Sequence, residues 1–196
     1  MIYEGVICTQ RPSGEPHLTP LGYRVVAEKI VLAPFVPSNT LDNLRANGVA
    51  TLNFTDDVRV YAGCLTERRD WPLTDAKIIE AQRLADVLAH IELVVEEEIA
   101  DEQRPQYRCA IAYQQNHRPF LGFNRAQAAV IEACILATRL DWLSVDKVRT
   151  EMRYLSIAID KTAGPRERCA WQWIVEKIDA HPNYPGFAQE LARANP

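Results

Sequence analysis

Small hydroxyl and amide side chains gather in one stretch of this chain, at residues 34–44. Ser38, Thr40 and Asn43 lie at the start of a predicted short helix, between two apolar runs with the composition of strands. The first backbone N–H groups of a helix have no intrahelical acceptor, so together with such side chains they can bind an anion. This stretch therefore predicts a phosphate site.

Helix capping explains the same residues without a ligand. Ser38 or Thr40 would be an ordinary N-cap, and Asp42 favours the positive end of the helix dipole. Both interpretations predict a helix over residues 39–47. Gly48 would end it, because glycine tolerates left-handed backbone angles.

Other catalytic and metal-binding motifs are missing from the sequence. It contains no G-x-G-x-x-G, G-x-x-x-x-G-K-[ST] or G-x-S-x-G, the patterns of dinucleotide, P-loop and serine-hydrolase sites. The five cysteines and four histidines are scattered, with no C-x-x-C pair and no H-E-x-x-H. We therefore expect buried thiols and no metal site.

Charge and hydrophobic pattern argue against two further classes of protein. The net charge is -4, and no basic stripe interleaved with aromatic residues is present, which argues against nucleic-acid binding. No apolar run reaches the roughly 20 residues that span a bilayer. Residues 1–5 lack the basic and apolar regions of a signal peptide. We expect a soluble cytoplasmic protein that binds neither nucleic acid nor membrane.

Residues 1–120 have the pattern of strands and turns, with short apolar runs separated by segments rich in Pro, Gly or Asp. About six or seven strands at this spacing predict an antiparallel barrel, and residues 58–65 are among them. Residues 75–90 instead carry apolar residues at helical spacing and predict a helix. The pattern leaves the rest of residues 66–90 undefined.

After residue 120 the hydrophobic period changes to that of helices. Residues 126–140 are rich in Ala, Ile and Leu and contain neither Pro nor Gly. Ser144 is the predicted N-cap of a second helix and Pro165 an early residue of a third, with a short fourth helix closing the chain. The sequence therefore predicts an α+β fold, with a barrel followed by a helical subdomain over residues 121–196.

Several segments of the chain resemble the family known as domain of unknown function 447. They are residues 4–9, 16–22, 34–44 and 53–57 in the first part and residues 122–126 and 161–167 in the helical part. The resemblance implies an FMN-binding split β-barrel, similar to the pyridoxamine 5'-phosphate oxidase and flavin reductase group, with a helical C-terminal extension. It also implies a homodimer that binds FMN in a groove between the subunits.

Under this resemblance, the turn at Ser38, Thr40 and Asn43 would hold the flavin phosphate with hydroxyl, amide and helix N-terminal donors. In the wider oxidase group a Lys or Arg often follows the serine of this turn. Here that position is Asn39, so the cation must come from elsewhere.

Arg125 and Lys161 are the candidate cations for the phosphate. Each lies at the border of a helix, in a segment that resembles the family. An ordinary surface ion pair is the alternative role for both residues.

The resemblance places the isoalloxazine ring beside the strand at residues 17–23. The expected contact residues there are His17, Thr19, Pro20, Leu21 and Gly22. Asn53 and Thr55, two apart on one predicted strand, would face the same side and contact the polar edge of the flavin or its ribityl chain.

Two functions fit this interpretation. One is a flavin-dependent oxidoreductase of unknown substrate, in which the flavin carries the redox chemistry and no side chain need be an obvious catalyst. His17 would be a proton donor near the ring, or a surface histidine at the end of a turn. The other is a non-catalytic flavin-binding or accessory protein, linked to the tetrahydromethanopterin-dependent one-carbon metabolism with which family members are associated.

Overall fold

The computed structural model describes residues 1–194 of the chain, which form eight strands and six helices. The strands are β1 (Tyr3–Gln10), β2 (Pro16–Val26), β3 (Lys29–Leu32), β4 (Val49–Phe54), β5 (Leu73–Asp75), β6 (Gln82–Leu84), β7 (Ala89–Ile99) and β8 (Gln106–Asn116). The helices are α1 (Asn39–Asn47), α2 (Arg59–Leu65), α3 (Arg125–Ala137), α4 (Val145–Thr162), α5 (Pro165–Asp179) and α6 (Phe187–Ala194).

These elements form two compact units. The barrel unit comprises Met1–Asp56 and Asp70–Phe120, and the helical unit comprises Asp57–Arg69 and the chain from Leu121 onward. The helical unit thus includes α2, although α2 lies between the barrel strands β4 and β7 in the sequence.

Six strands close an antiparallel barrel in the order β1-β2-β3-β8-β7-β4, which confirms the predicted architecture. Side chains alternate between the two faces of a strand, so Ile7, Leu32, Leu52 and Leu93 all enter the core and are fully buried. Burial of each such side chain contributes about 1.5–3 kcal/mol to stability. Gly5 allows β1 to pass close to this core, because a Cβ there would lie 2.6 Å from Leu52 Cδ1.

Helix α1 has the boundaries and caps that its sequence predicts. Ser38 is the N-cap, with its Oγ accepting the N–H of Leu41 at 3.3 Å. Gly48 is left-handed, with φ of 66°, and donates its N–H to Leu44 O at 2.9 Å. Both ends are set by local side-chain and backbone chemistry, which explains why the sequence was sufficient.

Residues 58–65 were predicted as a strand, and this prediction is wrong. They form α2, in which Val60, Tyr61 and Cys64 are all buried. A continuous apolar run fits a helix covered on several sides as well as it fits a buried strand. The carboxylate of Asp57 accepts the N–H of Arg59 at 3.1 Å, and this hydrogen bond directs the backbone into the helix.

The helix predicted over residues 75–90 is also absent, and β5 pairs with β6 there instead. Barrel side chains bind the backbone of this segment. Thr51 Oγ1 donates to Gln82 O at 2.8 Å, and Asn53 Oδ1 accepts the N–H of Leu84 at 3.1 Å. These long-range bonds replace the local i to i-4 bonds that a helix would need.

The helical unit follows its predicted starts. Asn124 caps α3 by accepting the N–H of Ala126 at 2.8 Å, and Ser144 caps α4 by accepting the N–H of Lys147 at 3.4 Å. Pro165 is the first residue of α5, where its fixed φ suits a helix and its missing N–H is not needed. The predicted short fourth helix is α6.

Candidate functional site

The N-terminus of α1 presents two backbone donors. The carbonyl of Ser38 accepts the N–H of Asp42 at 3.1 Å, and its hydroxyl accepts that of Leu41. The preceding amides, those of Asn39 and Thr40, lie in the first helical turn and have no acceptor within the helix. These amides, the Ser38 hydroxyl and the helix dipole are the groups that the predicted phosphate site would use.

Asn43 is turned inward from this set. Its side chain is 2% exposed, and its Nδ2 donates to Thr9 Oγ1 at 2.9 Å. Thr40 is also buried, at 3% exposure. Asn43 thus ties α1 to β1 through a buried hydrogen bond, a role that the sequence did not indicate because Thr9 is 34 residues away.

Strand β2 has a stretch that is paired on one side. Residues 16–23 pair with β1, whereas β3 pairs with residues 23–26. Among the described residues, no strand flanks the other edge of residues 16–22. The five residues predicted to contact a flat ring lie in this stretch, and they are His17, Thr19, Pro20, Leu21 and Gly22. Proline is tolerated on such an edge because it has no N–H to donate.

Asn53 and Thr55 do not act as a pair. β4 ends at Phe54, so Thr55 lies beyond the strand and does not share its alternation. Asn53 is fully buried and bonded within the chain, with its Nδ2 donating to Val6 O at 3.0 Å and its Oδ1 accepting the N–H of Leu84. Its amide therefore organises β1, β4 and the β5–β6 ribbon.

The positively charged guanidinium of Arg104 lies beside the segment just before α1. Its guanidinium carbon lies 4.2 Å from the centroid of the Phe35 ring, and its Nη2 donates to Ala33 O at 3.0 Å. The backbone of the same turn is joined to this segment, because Val36 N–H donates to Gln103 O at 2.9 Å. The guanidinium is thus held against residues 33–36 by stacking and by hydrogen bonds.

Sequence reasoning did not show which segment lies next to residues 101–105. The pairing of β3 with β8 puts Leu32 opposite Tyr107, and so places the turn before β8 beside the residues after β3. Arg104 and Phe35 are 69 positions apart in the sequence, so strand register alone brings them together.

Arg125 and Lys161, the cations considered from the sequence, lie in the helical unit. Arg125 is the first residue of α3 and Lys161 lies in the last turn of α4, and both are exposed. Within residues 1–194 neither forms an ion pair. Their role in a phosphate site stays a prediction.

A second polar cluster lies on the barrel unit and was missed by sequence reasoning. Glu92 is fully buried, and its carboxylate accepts the backbone N–H groups of Lys77, Ile78 and Ile79 at 2.6, 2.8 and 3.1 Å. The same carboxylate lies 3.2 Å from Nε2 of His90. The buried carboxylate of Glu92 thus accepts hydrogen bonds from three backbone amides and lies within hydrogen-bond distance of one imidazole.

The cluster continues from His90 to the surface. Nδ1 of His90 lies 2.9 Å from Nε2 of His117, with the two ring planes 18° apart. His90 is 1% exposed, whereas His117 is exposed. The three side chains therefore connect a buried carboxylate to solvent through two imidazoles.

The electrostatics of this cluster favour an ionised Glu92 and neutral imidazoles. Burial would raise the pKa of Glu92, but the backbone hydrogen bonds and the bond with His90 outweigh it and lower that pKa. Burial lowers the pKa of His90 against the opposing effect of Glu92, and the charge of Arg83 lowers it further. The pKa of His117 is lowered by burial, by Arg83 and by His90.

The thiols of Cys64 and Cys109 are buried, and the described residues hold no cluster that could bind a metal. Burial raises the pKa of Cys64 to about 11 and that of Cys109 to about 12, so both are protonated at neutral pH. Across residues 1–194, no group of three or more His, Cys, Asp or Glu side chains is placed to hold a metal ion. None of the helices described is long and apolar enough to cross a membrane.

The closed antiparallel barrel with its helical extension defines a protein of the flavin-binding split-barrel fold class. Two family models cover most of the chain. The model described as "Protein of unknown function (DUF447) N-terminal domain" matches residues 3–118, and the one described as "Protein of unknown function (DUF447)" matches residues 124–176. The chain belongs to the DUF447 family.

Solved structures share this fold at low sequence identity. An FMN-bound DUF447 protein from Methanosarcina mazei superposes with a TM-score of 0.77 at 18% identity, over 90% of this chain and 94% of that one. The 2-nitrobenzoate 2-nitroreductase of Pseudomonas fluorescens gives 0.53 at 17% identity, over 58% and 64%. Flavoredoxin from Methanosarcina acetivorans gives 0.52 at 15%, over 62% and 72%. No curated protein sequence matches the chain.

Proposed function

We propose that this chain is an FMN-binding protein and acts as a flavin-dependent oxidoreductase. The observation that carries the proposal is the match over nearly the whole chain to a family member solved with FMN. Nitroreductase and flavoredoxin structures with the same barrel support a redox role.

The anion-binding groups before α1 fit the phosphate of FMN. The amides of Asn39 and Thr40 and the hydroxyl of Ser38 supply donors, and Arg104 supplies the positive charge that the residue after Ser38 does not. A charged donor of this kind forms stronger hydrogen bonds to phosphate than a neutral one. Asn43 does not contact the phosphate in this proposal. It fixes α1 to Thr9 and so holds the proposed site in position.

The one-sided stretch of β2 fits the isoalloxazine ring. Residues 19–22 pair with β1 along one edge and no described strand flanks their other edge, so we expect the backbone groups on that other edge to contact the polar atoms of the ring. Thr19 and Gly22 are half-buried there, and His17 begins the stretch. Bound FMN would supply hydride or electron transfer, while these residues orient the ring.

We further propose a homodimer, as the family resemblance implies. The barrel unit exposes apolar side chains that a second copy would cover, among them Val25 at 53% and Val26 at 50% on β2 and Ile111 at 38% on β8. Exposed apolar surface of this kind is typical of interfaces. Light scattering on purified protein, with and without FMN, measures the assembly, and a monomer under both conditions would contradict it.

Paired titrations with FMN and riboflavin test the proposed site. Riboflavin lacks the phosphate, so the ratio of the two affinities isolates the phosphate contribution. Ser38→Asp keeps a good N-cap but adds a negative charge, and we expect it to weaken FMN and to spare riboflavin. Binding of neither flavin by the wild-type protein would overturn the proposal.

Turnover is tested separately from binding. The FMN-loaded protein is mixed anaerobically with NADH or NADPH, and bleaching of the flavin absorbance is followed before candidate acceptors are added. Reduction followed by reoxidation supports the oxidoreductase. Tight FMN binding with no reduction by either nucleotide would favour the non-catalytic flavin-binding role.

A further inference from the structure

We propose that His117 is a proton-transfer residue on the barrel unit, held by His90 and Glu92 so that its Nδ1 is a bare, solvent-facing base. The site would act on a small anionic molecule with an acidic O–H or N–H group. This inference does not depend on FMN binding. It rests on the geometry of three side chains, two on β7 and one on the residue that follows β8.

The direction of each hydrogen bond follows from Glu92. A carboxylate only accepts, and Glu92 already accepts three backbone N–H groups in a fully buried position. Nε2 of His90 must therefore carry the proton that faces it. A neutral imidazole has one N–H, so Nδ1 of His90 is an acceptor.

The same reasoning extends to His117. Its Nε2 lies 2.9 Å from the bare Nδ1 of His90 and so must donate to it. The remaining nitrogen of a neutral His117, Nδ1, then has no proton. The backbone also fixes this ring, since the N–H of His117 donates to Leu88 O at 2.8 Å.

Proton transfer at this nitrogen balances without any cofactor. The proton leaves the O–H or N–H of the bound molecule and joins Nδ1 of His117, while the bonding pair stays on the molecule. The new positive charge is shared toward Glu92 through His90. An acid–base group with this support is typical of catalytic histidines.

The charged groups around the cluster set the class of molecule. Arg83 on β6 bears electrostatically on both histidines, and Lys77 lies over the ring of Tyr113 on β8, whose centroid is 5.9 Å from that of His90. Arg118, next to His117, is already paired with Asp56 and Asp86. Two cations without a carboxylate partner among residues 1–194 thus favour an anionic molecule.

Glu92→Gln gives a decisive test. The N–H groups of Ile78 and Ile79 face Oε2 of Glu92, whereas that of Lys77 shares Oε1 with Nε2 of His90. A Gln amide oxygen at the Oε2 position would keep the first two bonds, so its NH₂ would face His90 and reverse each bond in the chain. We expect ¹⁵N–¹H spectra of the imidazoles to show His117 protonated at Nε2 in the wild type and at Nδ1 in E92Q. Glu97→Gln is the matched control, because Glu97 lies on the same strand in an exposed pair with Arg108.

Chemical modification also measures whether Nδ1 of His117 lacks a proton. Diethyl pyrocarbonate acylates a bare imidazole nitrogen, so peptide mass spectrometry should find His117 modified in the wild type and several-fold more slowly in E92Q. A wild-type His117 protonated at Nδ1 overturns the proposal, and this measurement holds even if E92Q fails to fold. Equal acylation rates in wild type and folded E92Q also overturn it.

The class of molecule is tested with two phenols. We expect 4-hydroxybenzoate, an anion, to shift the His117 ring signals more than neutral 4-hydroxybenzyl alcohol does. Arg83→Ala should abolish the difference. Equal shifts for both compounds, or none for either, would overturn the assignment of the class.

Discussion

The side-chain amide of Asn43 donates a hydrogen bond of 2.9 Å to the hydroxyl of Thr9, and both side chains are almost completely buried. A residue predicted to bind phosphate thus joins α1 to β1. Since the predicted phosphate site lies at the first turn of α1, we expect this bond to position that site without entering it.

Asn43→Ala should lower stability and leave the preference for FMN over riboflavin unchanged. The loss leaves the Thr9 hydroxyl buried without its donor, at a cost of about 1–3 kcal/mol. Chemical denaturation measures it. In the double variant with Thr9→Val the total cost should be smaller than the sum of the two single costs. A selective loss of FMN affinity in N43A would mean that Asn43 contacts the phosphate after all.

Arg104→Ala should weaken FMN about tenfold, equivalent to about 1.4 kcal/mol, with little effect on riboflavin. The lost charge is the one held beside Phe35, before α1. Fluorescence titration at two salt concentrations measures the effect, which should shrink as salt screens the charge. Arg108→Ala, in an exposed ion pair on the adjacent strand, is the control.

Arg125→Ala and Lys161→Ala belong in the same titration. If either variant lowers the ratio of FMN affinity to riboflavin affinity while R104A does not, the sequence-based choice of cation is right and the choice of Arg104 is wrong.

Gly5→Ala should destabilise the barrel unit by about 1–3 kcal/mol through overpacking. The new methyl group would lie 2.6 Å from Leu52 Cδ1 and 3.5 Å from the ring of Tyr23. Denaturant melts give the free energy of unfolding. Adding Leu52→Val to G5A shortens the neighbouring side chain and should restore part of the lost stability. An unchanged stability in G5A alone would mean that Leu52 moves aside freely.

The stability of the barrel unit should fall in acid because of Glu92 and His90. The folded state lowers the pKa of Glu92, so its contribution is present above the unfolded value of about 4.3 and is lost as pH falls through the folded pKa. The folded state also lowers the pKa of His90. Its neutral form is therefore favoured, and stability declines as pH falls below about 6.5.

Unfolding free energies measured from about pH 7.5 down to about pH 2 would follow this dependence, because the range includes both unfolded pKa values and extends below that of Glu92. E92Q should be less stable at neutral pH and lose stability less steeply in acid. A parallel decline in wild type and E92Q would assign the acid sensitivity to other groups.

Features with local signals were the ones that could be predicted from the sequence. Ser38 and Gly48 mark the ends of α1 because a cap acts within a few residues. The start of α5 at Pro165 has a similarly short-range cause. The errors at residues 58–65 and 75–90 arose where apolar spacing fitted more than one element. Near residue 58 the bond from Arg59 N–H to Asp57 favours the helix, whereas at residues 75–90 long-range bonds with Thr51 and Asn53 hold the ribbon.

The sequence by itself thus determined the barrel followed by helices, the capped helix α1 and the family to which the chain belongs. The tertiary structure decided which side chains meet. Arg104 reaches Phe35 through the pairing of β3 with β8, and His90 reaches His117 through that of β7 with β8. Strand register sets such contacts between residues far apart in the chain, and no local propensity encodes them.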